Sequence, residues 1–268
     1  MSDAPTRFSP TAAAAEVAQY GSTVLRQAWC PDLLAALRGA IVRYVEQRSA
    51  RIAGSSIAPH ERMYHTHGAG VFESLVSAGL IGPSILTEMF SRSDFQALCS
   101  RYFEDDRLYV CPSRLAFRVH DPSASDRSFV PYHQDSGTQD PRVSTVLNCW
   151  IPLDPGAGRE APGLEVVRAP CEPNFPLKDF GLHSENAAYD FITIDRERII
   201  AAYGEHLLAP EFEVGDGLAF SQYVIHRTYV TPDMTQPRIN FEFRVFSSKS
   251  LAPGATANEV LQTAVRVA

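Results

Sequence analysis

Short β-prone runs separated by turn-forming residues dominate the second half of the chain, and this pattern constrains the fold more than any other. Predicted strands cover 107–111, 113–120, 143–151, 164–168, 210–214, 217–221, 223–231 and 238–247. Turn residues such as Asp121-Pro122 and Gly215-Asp216-Gly217 separate most of them. Many short strands with such signals are typical of a sandwich or barrel. We therefore predict a mainly β fold with a double-sheet, jelly-roll core over about 107–247.

The first third of the chain has a helical pattern instead. After a short predicted strand at 22–28, Pro31 and Asp32 begin a stretch with apolar residues at three- and four-residue spacing. Shorter helical patterns follow within 71–101, and a helical insertion is predicted within 184–204. No internal repeat or low-complexity linker divides the sequence. We therefore predict one domain over 1–268, with a helical layer to about residue 106 that supports the jelly roll.

Composition excludes several classes of protein. The net charge is −7 and no Lys/Arg run is present, which argues against a nucleic-acid partner. No apolar stretch approaches the length of a membrane helix, and the first residues lack the pattern of a secretory signal. The five cysteines include no CxxC pair, so we expect reduced thiols and a cytoplasmic protein.

Two histidines and one aspartate form a candidate metal site. His133 and Asp135 lie two residues apart in PYHQDSG, so on a strand both side chains would point to one face. His226 follows in the β-prone run FSQYVIHRTYV. Two histidines and a carboxylate can form the facial triad of non-haem Fe(II) oxygenases, which leaves coordination positions open. An isolated HxD is a weak signal, and the prediction depends on the order HxD, Gly-Asp, His226 and then Arg238.

The stretches VPYHQDSG, STVLNCWIPLD, GLEVVRAP and FEVGDGLAFSQYVIHRTYVTPDMTQPRINFEFR resemble the phytanoyl-CoA dioxygenase family of 2-oxoglutarate oxygenases. They fall within about 107–247, roughly half of the chain. The resemblance implies a double-stranded β-helix (jelly-roll, cupin-like) core, Fe(II), and the co-substrates 2-oxoglutarate and O2. It also implies hydroxylation of a C–H bond of a small-molecule substrate, with release of succinate and CO2.

The resemblance carries roles onto individual positions. It implies that His133, Asp135 and His226 bind the iron and form the catalytic centre. Arg238 matches the arginine that binds the distal carboxylate of 2-oxoglutarate, and an arginine fork suits a carboxylate. Thr228 matches a hydroxyl position for the same carboxylate, and Trp150 an aromatic position of the co-substrate pocket. Asn148 shares the strand face of Trp150 by the period of two, so it is a further pocket candidate.

Other polar residues are expected to have ordinary roles. Arg118, Arg244 and His120 are interpreted as structural strand residues, and Asp216 as a turn residue. The cluster at His60, His65 and His67 is interpreted as part of a mobile loop and not as a metal site. The family's glycine-serine-histidine segment is replaced by VVRAPCEP, which affects the expected substrate contacts rather than iron binding.

Two alternatives stay open at the level of sequence. One is a jelly-roll metal-dependent isomerase or dioxygenase that uses no 2-oxoglutarate, which would not need Arg238. The other is an inactive binding module, which would usually have lost a ligand of the triad. The loops at 55–70, 121–131 and 171–195 are expected to select the substrate. Of these, 55–70 and 121–130 are predicted to close over the site.

Overall fold

The computed structural model describes residues 8–51, 79, 84–90, 93–110, 115–123, 129–135, 143–170, 196–251 and 265–266. The predicted lid at 55–70, with its histidine cluster, and the 171–195 loop lie outside the described residues, as does the middle of the 121–130 loop. No helix within the described ranges combines the length and the apolar character needed to cross a membrane.

Helices occupy the N-terminal part, and strands occupy most of the rest. The helices are α1 (Pro10–Tyr20), α2 (Pro31–Arg51), α3 (Ser84–Phe90), α4 (Ser93–Phe103) and α5 (Arg196–Tyr203), with 3₁₀ turns at Gly204–His206 and Ser248–Ser250. The strands are β1 (Ser22–Leu25), β2 (Leu108–Val110), β3 (Ala116–His120), β4 (Leu147–Pro152), β5 (Gly163–Val167), β6 (Leu207–Leu208), β7 (Gly217–Ser221), β8 (His226–Tyr229), β9 (Arg238–Ser247) and β10 (Val265–Arg266).

Two antiparallel sheets face each other. The large sheet has the order β1-β7-β4-β9-β2-β10, with β3 also paired to β9, and the small sheet has the order β6-β5-β8. Side chains from both sheets meet in one buried cluster, in which Trp150 and Leu218 pack with Leu164 and Val166. This arrangement confirms the predicted mainly β, double-sheet core.

Strand β9 shows why the large sheet can separate a helical layer from a polar cavity. Its odd-numbered residues, including Phe241 and Phe243, are buried in the main hydrophobic cluster with the helices. The ring of Phe243 packs edge-on against Phe90 and Phe95, at centroid distances of 4.6 and 5.8 Å. Because strand side chains alternate between faces, the even-numbered residues point to the other face, toward the small sheet. The first four of these are polar: Arg238, Asn240, Glu242 and Arg244.

The N-terminal segment belongs to the large sheet as well as to the helical layer. Helix α1 ends at Gly21, whose φ of 78° is readily adopted by glycine and whose N–H donates to the carbonyl of Val17. The chain then enters β1, which pairs with β7 along its whole length. The predicted strand at 22–28 is therefore present but ends earlier, at Leu25.

One predicted strand is wrong. Residues 210–214 form no ladder, and only Phe212 makes an isolated bridge, with Ala157. Pro210 lacks a backbone donor, and Gly215, at a φ of 103°, turns the chain into β7. Residue Asp216 has the structural role expected of it, because its carboxylate accepts bonds from the side chain of Arg26 and the N–H of Gln27.

Candidate metal centre

His133, Asp135 and His226 converge on one point between the sheets. Their candidate ligand atoms all lie within 4.8 Å of one another, and each residue is buried. The Nε2 atom of His133 lies 3.7 Å from Oδ1 of Asp135. Within the ranges that the structure describes, no other cluster of His, Cys, Asp or Glu has this geometry.

Backbone pairing places the two histidines side by side. His226 begins β8, and His133 forms an antiparallel bridge with it, since the N–H of each donates to the carbonyl of the other at 3.0 Å. The N–H of Thr228 also donates to Val130, so residues 130–133 extend the small sheet. Pairing stops at His133, so Asp135 reaches the site from outside a strand, and the two side chains converge without sharing a strand face.

Each imidazole is oriented by a backbone carbonyl. The Nδ1 atom of His133 lies 2.8 Å from the carbonyl oxygen of Pro131, and Nδ1 of His226 lies 2.9 Å from that of Val224. A carbonyl oxygen only accepts, so both Nδ1 atoms carry the proton when the rings are neutral. The Nε2 lone pairs are then available to a metal, which is the usual role of such contacts in metal sites.

Charges around the site maintain the protonation states that a metal needs. Burial and the neighbouring His226 lower the pKa of His133 to about 3, so its imidazole is neutral at pH 7. Burial acts to raise the pKa of Asp135, but Arg244 and the two histidines hold it well below its usual range. A neutral imidazole and an ionised carboxylate are the forms that bind divalent ions.

Arg244 contacts a metal-ligand candidate, although the sequence favoured an ordinary strand role for it. Its Nη2 donates to Asp135 Oδ2 at 3.3 Å, and both side chains are largely buried. Beside it, Arg118 of β3 pairs with Glu242 at 3.0 Å. The alternation of polar and apolar residues over the first part of β9 was the available signal for this charged face, because every second residue from Arg238 to Arg244 is polar.

Arg238 lies in the same cavity and is almost completely buried, at 1% exposure. Its guanidinium carbon lies 4.7 Å from the ring centroid of Trp150. Its Nε and Nη1 have no hydrogen-bond partner among the described residues. Burial lowers the pKa of Arg238 to about 9, so the group is still cationic at pH 7. A buried cation with unpaired donors is a strong candidate binding group for an anion.

The remaining predicted pocket residues also line this cavity. They are Thr228, Trp150 and Asn148. The hydroxyl oxygen of Thr228 accepts from the N–H of Val130 at 3.1 Å, so it also holds the 130–133 segment in place. His120, interpreted from the sequence as structural, lines the cavity too and pairs across β3 and β9 with Arg238.

No family model matches the sequence, and no curated protein matches it either. Several solved structures do resemble its fold. EctD from S. alaskensis, solved with 2-oxoglutarate and 5-hydroxyectoine, has a TM-score of 0.56 at 15% identity, covering 94% of this chain and 82% of its own. A second structure is SnoK, a non-heme alpha ketoglutarate dependent carbocyclase from nogalamycin biosynthesis. Its TM-score is 0.57 at 15% identity, over 97% of this chain and 94% of its own.

A third structure is the epimerase SnoN in complex with Fe3+, alpha ketoglutarate and nogalamycin RO. Its TM-score is 0.51 at 12% identity, over 92% of this chain and 91% of its own. The fold is shared with these three proteins. At such identities the likeness establishes the architecture, and the chemistry must be argued from the site itself.

Proposed function

We propose that this protein is an Fe(II)- and 2-oxoglutarate-dependent oxygenase of the phytanoyl-CoA dioxygenase type, acting on a small molecule. The observation that carries the proposal is the presence, in one buried cavity, of the His133, Asp135 and His226 cluster together with the buried cation Arg238. Two of the three similar structures contain 2-oxoglutarate (alpha ketoglutarate), and the third is an alpha ketoglutarate dependent carbocyclase, which supports the same class.

The donor set suits iron. Two imidazoles and one carboxylate form the set found in non-haem Fe(II) oxygenases, and they leave open positions for further ligands. Iron bound there with 2-oxoglutarate would supply the activation of O2, which yields succinate and CO2 as the substrate is oxidised. Arg244 holds the second oxygen of Asp135, which orients the carboxylate so that its other oxygen faces the cluster.

Arg238 suits the distal carboxylate of 2-oxoglutarate. Its Nε and Nη1 are buried donors without a hydrogen-bond partner among the described residues, and a carboxylate is the acceptor that a guanidinium binds most strongly. The guanidinium carbon lies 4.7 Å from the centroid of the Trp150 ring, a cation–π contact that helps to hold the side chain in the cavity. Thr228 lines the same cavity and is our second candidate for this carboxylate. Burial of these groups excludes water and strengthens the charge pair.

Hydroxylation of a C–H bond is the outcome that we propose. Asp135 occupies the carboxylate position of the triad, so the protein itself supplies all three ligands of a facial set. The chain's own contribution is to orient the substrate, exclude water and keep the ligands in their metal-binding forms. The competing assignment is a metal-dependent isomerase or dioxygenase without 2-oxoglutarate, and it makes no use of Arg238.

Replacing Arg238 by Ala tests the proposal. The variant should bind 2-oxoglutarate much more weakly. The binding free energy should become less favourable by about 2–5 kcal/mol, because the distal carboxylate loses its cationic partner. Iron affinity should stay as in the wild type, because Arg238 is not among the candidate ligands. The measurement is titration of the metal-to-ligand absorbance band with 2-oxoglutarate under argon. Arg101→Ala, at an exposed arginine, is the control.

An unchanged titration midpoint in Arg238→Ala would contradict the assignment of this carboxylate to Arg238. The absence of any 2-oxoglutarate band in the wild type, together with the absence of succinate in the presence of Fe(II) and ascorbate, would favour the competing assignment.

A further inference from the structure

We infer that Asn148 binds the primary substrate, and that this substrate carries a hydroxyl or amine group beside the metal. The inference rests on the proposed function and adds to it a substrate class: polyols, sugars, amino alcohols and similar donor-bearing molecules rather than purely hydrocarbon or acyl chains.

The amide of Asn148 is buried without a protein partner. The residue is 3% exposed, and neither its Oδ1 nor its Nδ2 has a hydrogen-bond partner among the described residues. Buried polar groups are almost always hydrogen-bonded, and an apolar side chain of the same shape would be more favourable for folding alone. Both atoms belong to a side chain that lines the cavity. A bound molecule is therefore the natural partner of this amide.

The neighbours of Asn148 show that it faces the metal cluster. In the large sheet its register partners are Arg244 on β9 and Phe220 on β7. Arg244 contacts Asp135 at 3.3 Å, and the ring centroid of Phe220 lies 4.7 Å from that of His226. The two residues that flank Asn148 thus each touch a metal-ligand candidate, on either side of the amide.

Asn148 and the Arg238 end of the cavity lie at different positions along β4. Trp150, which packs on Arg238, follows Asn148 on the same strand face, about 7 Å further along. Arg238 itself pairs with His120 on the far side of β9. The distal carboxylate of 2-oxoglutarate, placed at Arg238, would therefore lie on the Trp150 side of the cavity, and Asn148 lies on the side of the metal cluster.

The chemistry of the amide then selects the class of ligand. Oxygens of 2-oxoglutarate only accept hydrogen bonds, so they could satisfy Nδ2 but never Oδ1. The Oδ1 atom needs a donor, and a hydroxyl or amine near the metal supplies one. A hydroxyl group can donate to Oδ1 and can also accept from Nδ2, since it is both a donor and an acceptor.

A first experiment needs no ligand. The melting temperature of the metal-free Asn148→Leu variant should equal or exceed that of the wild type, because the substitution removes two unpaired buried polar atoms. Asn240→Leu is the matched control: that residue is also fully buried on this sheet, but its Nδ2 donates to Glu242 at 2.7 Å, so its loss should lower the melting temperature. A marked loss of stability in Asn148→Leu would overturn the inference, since the amide would then have a structural role.

A second experiment tests the ligand class. Protein loaded with Zn(II) and 2-oxoglutarate is screened by ligand-observed NMR against small polyols and amino alcohols, each paired with its deoxy or deamino counterpart. Donor-bearing probes should bind about tenfold tighter than their counterparts in the wild type and in Asn148→Asp, which keeps an acceptor. Asn148→Leu should lose that preference. A preference that survives in Asn148→Leu, or equal binding of both members of each pair, overturns the inference.

The titration with 2-oxoglutarate separates this inference from the proposed function. If the wild type fails to bind 2-oxoglutarate, the proposed function fails. If the wild type binds it and Asn148→Leu shifts the midpoint about tenfold or more, Asn148 belongs to the co-substrate site, and only the present inference is overturned.

Discussion

Individual side chains in the cavity are held in defined chemical states by their surroundings. Carbonyl groups of Pro131 and Val224 orient the two imidazoles, and Arg244 engages one oxygen of Asp135. Such contacts fix the tautomer of a histidine and the orientation of a carboxylate before any ion arrives. A site preorganised in this way should respond strongly to the loss of a single group.

Replacing Asp135 by Ala tests the metal assignment. Iron affinity should fall at least about 100-fold, because loss of even an outer contact to a ligand typically costs 10–100-fold. Calorimetric titration with Fe(II) under argon measures the effect, and Asp233→Ala, at an exposed carboxylate, is the control. Unchanged affinity, or metal found at the His60–His67 cluster, would contradict the assignment.

The metal-free protein should lose stability on mild acidification because of His133. Its pKa is about 3 in the folded chain, against 6.5 for an ordinary histidine. Between these values the unfolded chain binds a proton that the folded chain does not, so the free energy of unfolding decreases as the pH falls below about 6.5. Urea unfolding at pH 7.5 and pH 5 measures this change.

A smaller pH effect is expected in His133→Gln, which removes the titrating group, whereas His206→Gln, at an exposed histidine, should behave like the wild type. An identical pH dependence in His133→Gln would show that other groups cause the acid sensitivity.

At the scale of elements, a buried polar cluster braces the small sheet behind the metal centre. Glu165 of β5 accepts hydrogen bonds from the hydroxyl of Tyr132 and, at 2.6 Å, from Nε of Arg227 on β8. The Arg227 guanidinium also lies over the Tyr132 ring at 5.0 Å. Burial and the bond to Glu165 raise the pKa of Tyr132 to about 12. The cluster thus joins the segments that carry His133 and His226.

Replacing Glu165 by Gln should weaken the contacts that Glu165 makes with Tyr132 and Arg227. We expect the free energy of unfolding to fall by about 1–3 kcal/mol, because Arg227 loses its charged partner in a largely buried position. Iron affinity should fall as well, since Tyr132 and Arg227 directly adjoin the two histidines in sequence. Chemical denaturation and metal titration measure both effects, and Glu205→Gln, at an exposed glutamate, is the control. Wild-type values for both quantities would contradict the role of Glu165.

For the whole molecule, the large sheet separates the helical layer from the space between the two sheets, which holds the cavity and a second apolar cluster. The helices cover one face of this sheet through a hydrophobic cluster that includes Trp29, Phe95 and Phe243. The ring centroids of Trp29 and Phe95 are 5.6 Å apart. The other face supplies the charged wall of the cavity. Strand β4 lies at the centre of this sheet, between β7 and β9, and all of its residues are buried.

Hydrogen exchange should reflect this arrangement. Amides of β4 and of the central part of β9 should exchange slowest, because both flanks are paired and both faces are covered. The edge strands β6 and β10, which pair over two residues each, should exchange fastest among the strands. Exchange measured by mass spectrometry with peptide resolution checks this order. Equal protection of β6 and β4 would contradict it.

The sequence determined what depends on local periodicity and on residue chemistry. The β-prone run at 238–247 predicted a strand that the structure has with the same bounds, and the apolar spacing after Pro31 predicted α2. The order of HxD, His226 and Arg238 identified side chains that the fold brings into one cavity. The 210–214 strand was wrong because β propensity does not reveal whether a pairing partner exists.

Only the tertiary structure decided which distant groups meet. The contact between Arg244 and Asp135 joins residues far apart in sequence, and it depends on how β9 lies opposite the small sheet. The pairing of β1 with β7 and the unpaired amide of Asn148 are equally invisible in sequence. Register between strands is set by packing across the two sheets, since a shift of one residue would turn every side chain of a strand to the opposite face. That packing, rather than any local preference, places the charged face of β9 over the candidate metal centre.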